Sequence, residues 1–191
     1  MIEIGYLELV IGPMFSGKTT YLIDIYNKYL ELTNHEILVI NNILDTRYSE
    51  NEVVSHSGDR IPCIRIKELK SLLCDINIKL DKYKVILINE AQFFEDLILF
   101  VKIMLEKKKK IYVSGLDGDF QQNKFGHILD LIPLCDSITK LKANCMNCKK
   151  ENCAIFSHRI NNNNNQTFIG SQESYIATCR KCYNELTINN I

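Results

Sequence analysis

Residues 12–19, GPMFSGKT, have the spacing Gly-x-x-x-x-Gly-Lys-Thr. Gly12 and Gly17 permit backbone torsions that a Cβ would block, so the main-chain N–H groups of Met14, Phe15, Ser16 and the residues after them can close around phosphate oxygens. Pro13 itself contributes only its carbonyl. A helix starting at the end of the loop adds its positive end. In such a loop Lys18 reaches the β and γ phosphates and the Thr19 hydroxyl ligates Mg²⁺. Context decides whether the spacing is chance. Here an apolar run, YLELVI (6–11), precedes it and a helical pattern follows. A second chemical residue stands at the end of VILINEAQFF (85–94), where the apolar run gives way to Asn89 and Glu90. Beside a phosphate loop, Glu90 suits either of two tasks: orienting a water, or accepting a proton from a substrate hydroxyl. The third group is cysteine. CMNC (145–148) and CRKC (179–182) place Cys145, Cys148, Cys179 and Cys182 as two C-x-x-C pairs, which can enclose a structural Zn²⁺ with no position left for water. Cys153 lies close enough to compete as a ligand. Cys63, Cys74 and Cys135 read as buried thiols.

The elements that must position these groups alternate. Strands are expected at 6–11, 36–41, 84–89 and 110–116, and helices at 19–32, 66–76 and 94–108. Leu22, Ile25, Tyr26, Tyr29 and Leu30 fall on one helical face. The strand at 84–89 is apolar enough to be buried on both faces, as parallel strands are. This pattern argues for an α/β domain, a parallel sheet flanked by helices, over residues 1–143. The composition then changes, and residues 144–191 read as a small zinc-stapled appendage. The tract NNNNN (161–165) reads as a flexible polar loop.

The chain's 191 residues suit one domain with an appendage, and 23 basic residues against 23 acidic ones give no overall attraction to nucleic acid or an anionic membrane. No secretory leader opens the sequence and no apolar stretch is long enough to span a bilayer, so reduced cysteines and a cytoplasmic location are expected. Two other readings of the residues stay open. One is a P-loop ATPase acting on nucleic acid, since NEAQ resembles a helicase acidic motif. The other is a zinc module with a disabled phosphate loop.

Taken in order, GPMFSGKT, DTRY (45–48), SHSG (55–58), EAQFF (90–94), LDGDFQ (116–121), FGHILDLIP (125–133), CMNC, FSHR (156–159) and YIATCRKCY (175–183) resemble the thymidine kinases that carry a zinc-bound lasso. The resemblance runs from about residue 7 to residue 183. It implies a P-loop NTPase-like fold, ATP and thymidine as substrates, Mg²⁺ with the ATP, inhibition by the end product dTTP, and a homotetramer. It implies Glu90 as the general base toward the 5′-hydroxyl, with Lys18 and Arg47 stabilising the transferring group and Asp45 nearby. Met14, Phe93, Leu116, Phe120 and Phe125 would wall the base pocket, with Ser157 beside the base. Residues 166–170, including Phe168, Ile169 and Gly170, together with Tyr175 would close over the nucleoside. Phe94 is expected in the core.

The chain departs from the family at Asn89, where aspartate is usual. Asparagine supplies no charge, yet it accepts a hydrogen bond from a metal-bound water. Weaker Mg²⁺ affinity with retained activity is the expected result. Asn89→Asp should therefore lower the Mg²⁺ concentration for half-maximal rate, and an unchanged Mg²⁺ titration would contradict this.

Overall fold

The computed structural model of the chain describes residues 4–32, 36–45, 51–161, 163, 165–168, 170 and 173–188. Strand β1 (Tyr6–Ile11) is followed by helix α1 (Lys18–Leu32) and strand β2 (Ile37–Asn42). A short hairpin, β3 (Glu52–Val54) and β4 (Arg60–Pro62), precedes β5 (Ile64–Ile66) and the single turn α2 (Ser71–Cys74). Then come β6 (Val85–Ile88), α3 (Leu97–Glu106), β7 (Lys110–Gly115) and β8 (Ser137–Lys140). The chain ends in a hairpin of β9 (Phe156–Arg159) and β10 (Tyr175–Thr178), then α4 (Arg180–Ile188).

Six strands form one sheet in the order β5-β2-β6-β7-β1-β8, and every pairing in it is parallel. Alternation along the strands sends side chains to both faces. Ile86 and Ile88 of β6 join Leu7, Leu9, Ile111 and Val113 in a cluster covered by α3 and the 3₁₀ segment Ile128–Leu134. Val85 and Leu87 point the other way, into a cluster with Leu22, Ile23 and Ile25 of α1. Both faces of the sheet are thus covered, which accounts for the unbroken apolar run of β6.

The expected helix at 66–76 is not formed as such. Ile64–Ile66 joins β2 as a parallel edge strand, and only Ser71–Cys74 is helical. The turn is anchored from elsewhere in the chain: the main-chain N–H groups of Leu69 and Lys70 donate to the Asp96 carboxylate at 3.1 and 2.7 Å. Periodicity could not reveal that tertiary partner. The three cysteines expected to be buried also differ. Cys74 is exposed, while Cys63 and Cys135 are half-buried, and burial pushes the Cys63 thiol up to about 11. The helix expected over 94–108 is trimmed to 97–106, and Phe94 lies in the core with no exposed surface.

Phe94→Ala removes a fully buried ring and should cost about 3–5 kcal/mol of stability. Urea unfolding measures it, and a loss below about 1 kcal/mol would mean that the site collapses freely or that the ring is not core.

Candidate active site

Parallel pairing brings the carboxyl ends of the strands out along one edge. Ile11 stands opposite Gly115, and Ile88 stands opposite both Ile40 and Val113. The residues that follow these positions therefore face one cleft, with about 1030 Å³ of space including its open mouth. From β1 and α1 it takes Met14, Phe15, Ser16, Gly17, Lys18 and Thr19; from the end of β2, Asp45. The segment after β6 supplies Asn89, Glu90 and Phe93, and the segment after β7 supplies Leu116, Phe120 and Phe125. The C-terminal segment closes it with Ser157, Phe168, Gly170 and Tyr175. Gly12 and Pro13 do not line the cleft but shape the loop behind it. Arg47 and Ile169 lie outside the described residues.

The loop's geometry follows from its glycines. Gly12 takes φ +151°, and a Cβ there would meet the Leu141 carbonyl oxygen at 2.6 Å. Gly17 takes φ +84°. Lys18 is buried, and its ammonium donates to the Pro13 carbonyl at 2.6 Å, so the cation lies along the floor of the loop. Ser16 Oγ donates to the same carbonyl at 2.8 Å.

Glu90 sits in the left-handed region, φ 49° and ψ 43°. For a residue with a Cβ this conformation is strained, and such strain gathers at working sites. Gln92, which the sequence reading did not single out, holds the carboxylate. It is buried, its Nε2 donates to Glu90 Oε2 at 2.6 Å, and its Oε1 accepts the Leu116 N–H at 3.0 Å. One amide thus ties the carboxylate to the wall of the aromatic slot. Gly126 keeps the Gln92 backbone close: at φ +59°, a Cβ on it would meet the Gln92 carbonyl oxygen at 2.1 Å. The signal for Gln92 was its place two residues after Glu90, opposite a glycine, and no charge marks it.

Behind Glu90, three buried side chains form a chain of hydrogen bonds. Asn89 Nδ2 donates to Asn41 Oδ1 at 3.2 Å, and Asn41 Nδ2 donates to Asp45 Oδ2 at 3.2 Å. The slot itself is aromatic. Phe93 and Phe125 meet edge to face, with centroids 5.6 Å apart and planes at 90°. Met14 is buried, and its main-chain N–H donates to Ser157 Oγ at 2.9 Å, which joins the phosphate loop to β9. Asp119, missed from sequence as a site residue, and Gln166, the first residue of the expected covering segment 166–170, line the cleft and bond to each other at 2.7 Å. Val53, Val54 and His56 of the β3–β4 hairpin complete one side, and the His56 ring lies 5.3 Å from that of Phe15. His158 is instead buried against Tyr183, and burial pushes its pKa down.

Away from the cleft, the sulfurs of Cys145, Cys148, Cys179 and Cys182 all lie within 4.8 Å of one another. Tetrahedral thiolate sites with ~2.3 Å bonds have sulfurs about 3.8 Å apart, so the four fit a metal ion. Burial would raise the Cys145 thiol, but N–H donors from Cys179, Cys148 and Asn147 outweigh it and bring the group to about 6. Cys153 stands outside the group, with its thiol on the Lys150 carbonyl at 3.3 Å. The four sulfurs that gather are thus those of the two C-x-x-C pairs.

A phosphate loop after the first strand of a parallel sheet, with a strained carboxylate after a strand two places along that sheet, defines a P-loop nucleotide-binding enzyme. Comparison with known proteins narrows the class. The family model described as thymidine kinase matches residues 5–183. The chain is 40% identical over 182 residues to the thymidine kinase of Sheeppox virus, covering 95% of this chain and 98% of that protein. It is 41% identical to that of Amsacta moorei entomopoxvirus, covering 93% and 97%, and 38% identical to that of Mycoplasma mobile, covering 95% and 88%. The chain belongs to the thymidine kinase family.

Cys148→Ser takes one of four thiolates from the cluster. Elemental analysis of the purified chain should find a tightly held divalent ion in the wild type and strong depletion in the variant; equal metal in both would remove the cluster as a metal site.

Proposed function

We propose that this chain transfers the γ-phosphoryl group of ATP to the 5′-hydroxyl of thymidine, giving dTMP and ADP. The observation that carries the proposal is that a single cleft holds the phosphate loop, the Glu90 carboxylate and a flat aromatic slot. Phosphoryl transfer is mostly positioning and charge neutralisation. Lys18 and the loop N–H groups would hold the β and γ phosphates, and Arg47 would face the transferring group from the DTRY segment, with Asp45 in the same network. The slot of Met14, Phe93, Leu116, Phe120 and Phe125 suits a nucleobase, because a planar ring buries both faces against aromatic and thioether surfaces. Ser157 would lie beside the base. A nucleoside seated there directs its sugar toward Glu90, which would take the 5′-hydroxyl proton as the oxygen attacks. Gln92 would keep that carboxylate aimed. The segment 166–170 with Tyr175 would cover the nucleoside and limit the access of water to the phosphate.

The donor set at the phosphate end suits a hard cation: Thr19 and Asn89 both line the cleft, and Asn89 Oδ1 accepts no hydrogen bond among the described residues. Mg²⁺ arriving with ATP would neutralise phosphate charge, with Thr19 as its ligand and Asn89 holding a water on it. Zn²⁺ is the metal we propose for the four-cysteine cluster, where a closed thiolate shell favours a structural ion. We divide the chain into a nucleotide-binding unit, residues 1–143, and a lasso unit, residues 144–191. None of the described helices is long and apolar enough to cross a membrane. A homotetramer, inhibition by dTTP and a cytoplasmic location complete the proposal, on the family's pattern.

The test is a panel of nucleosides with ATP and Mg²⁺, following monophosphate formation. Thymidine should be phosphorylated, and phosphorylation of deoxycytidine or purine nucleosides with thymidine ignored would overturn the substrate. In the same assay Glu90→Gln should lower kcat by about 10²–10⁴-fold while calorimetry still finds both substrates bound. Near-normal turnover would remove Glu90 as the base.

A further inference from the structure

The asparagine tract has the composition of a flexible linker, yet its described residues are engaged in specific bonds. Asn161 Oδ1 accepts the main-chain N–H of Asn163 at 3.1 Å, and Asn163 Oδ1 accepts that of Asn165 at 2.9 Å. Each is the side-chain-to-backbone bond, two residues on, by which asparagine curls a chain. The carbonyls of Asn163 and Asn165 both converge on Arg159 Nη1, each at 2.6 Å.

Arg159 is 4% exposed, and among the described residues no carboxylate pairs with it. Its charge is met in another way. Nη2 donates to the Gln166 carbonyl at 3.2 Å and to the Tyr175 hydroxyl, and Nε donates to the same hydroxyl at 3.1 Å. A guanidinium has five N–H groups, and all five are used. Its plane lies over the Phe120 ring, 3.8 Å from the centroid, with Tyr175 at 5.1 Å and Phe168 at 5.5 Å. Tyr175, opposite Arg159 in the β9–β10 pairing, passes the connection on by donating to the Phe168 carbonyl at 2.9 Å. Phe120, Gln166, Phe168 and Tyr175 all line the cleft, whereas Arg159 does not.

We propose that Arg159 is a positioning residue for the nucleoside: it clasps the covering loop by its main-chain carbonyls and sets that loop against the Phe120 wall, and the asparagines serve by turning those carbonyls inward. Lysine cannot substitute. It has three donors on a point charge and no plane to stack on a ring. The inference rests on the nucleoside reading of the cleft and adds to it the group that shapes the lid.

A residue that only supported the fold would, when replaced, lower the active fraction and move kcat while leaving the thymidine KM alone. A clasp does the reverse. Arg159→Lys should raise the thymidine KM by about tenfold or more, with the ATP KM and metal content held and kcat at saturating thymidine within about threefold. The double variant Asn161→Ala/Asn163→Ala keeps the guanidinium and touches neither substrate. It should raise the thymidine KM by about threefold. Thymidine should also protect residues 159–175 from a broad-specificity protease in the wild type and less so in either variant. An unchanged thymidine KM in the double variant, or a fall in kcat alone in Arg159→Lys, overturns the proposal, and if Arg159→Lys does not fold, the double variant decides. A wild-type chain that ignores thymidine defeats the substrate assignment instead, so the two failures are distinguishable.

Discussion

Parallel pairing is the constraint from which the site follows. With Ile88 opposite Ile40 and Val113, and Ile11 opposite Gly115, the ladders of β1, β2, β6 and β7 stop at one edge. Main-chain groups beyond that edge have no next rung, and they must turn into loops or bind something. The phosphate loop, the Asn89–Asn41–Asp45 chain and the strained Glu90 are successive answers to the same geometric fact. Covering both sheet faces with α1 on one side and α3 with residues 128–134 on the other leaves that edge as the natural place for a ligand.

The C-terminal segment is joined to this edge by polar contacts. Met14 N–H meets Ser157 Oγ at 2.9 Å, Gln166 meets Asp119 at 2.7 Å, and the Tyr183 hydroxyl donates to the Phe120 carbonyl at 2.6 Å. Such bonds are directional, and a buried donor left unmade costs about 1–3 kcal/mol. They fix the orientation of the segment as well as its attachment. A lid over phosphoryl chemistry needs orientation, since its value lies in excluding water and in presenting main-chain groups at set positions. The four sulfurs gather where the apolar cluster around them, Ala143, Cys145, Ala154, Ala177 and Cys182, is small, so a metal ion held there would supply the rigidity that burial does not.

Much of the site was readable because it is carried by residue types with few alternative uses. A glycine-flanked Lys-Thr, an acidic residue at the end of an apolar run and paired C-x-x-C spacings each narrow the chemistry locally. Phe94 lies in the core as expected, and Phe93 and Phe125 line the cleft. Gln92, Asp119 and Arg159 were not read as site residues because neutral amides, turn aspartates and arginines have many ordinary roles, and only their partners reveal these. The expected helix at 66–76 failed for a related reason. The apolar positions of Ile64, Ile66, Leu69 and Leu72 suit either period, and a neighbouring strand and the Asp96 carboxylate decided the outcome. In the asparagine tract, where composition gave only a polar loop, the bonds of Asn161 Oδ1 to the Asn163 N–H and of Asn163 Oδ1 to the Asn165 N–H became visible only in the structure.

What the sequence determined by itself was local: the loop that can hold phosphate, the apolar runs of an α/β sheet, the four cysteines at metal-ligand spacing and the order of motifs that signals the family. Tertiary structure alone decided which of these meet. It set the strand order that places Glu90 across from Lys18's loop, left Cys153 outside the four-sulfur cluster, and buried Arg159 beneath a ring 39 residues earlier in the chain. The physical reason is that chemical identity and short-range periodicity are properties of neighbouring residues. Partner choice between distant segments is settled by burial and hydrogen-bond satisfaction over the whole molecule.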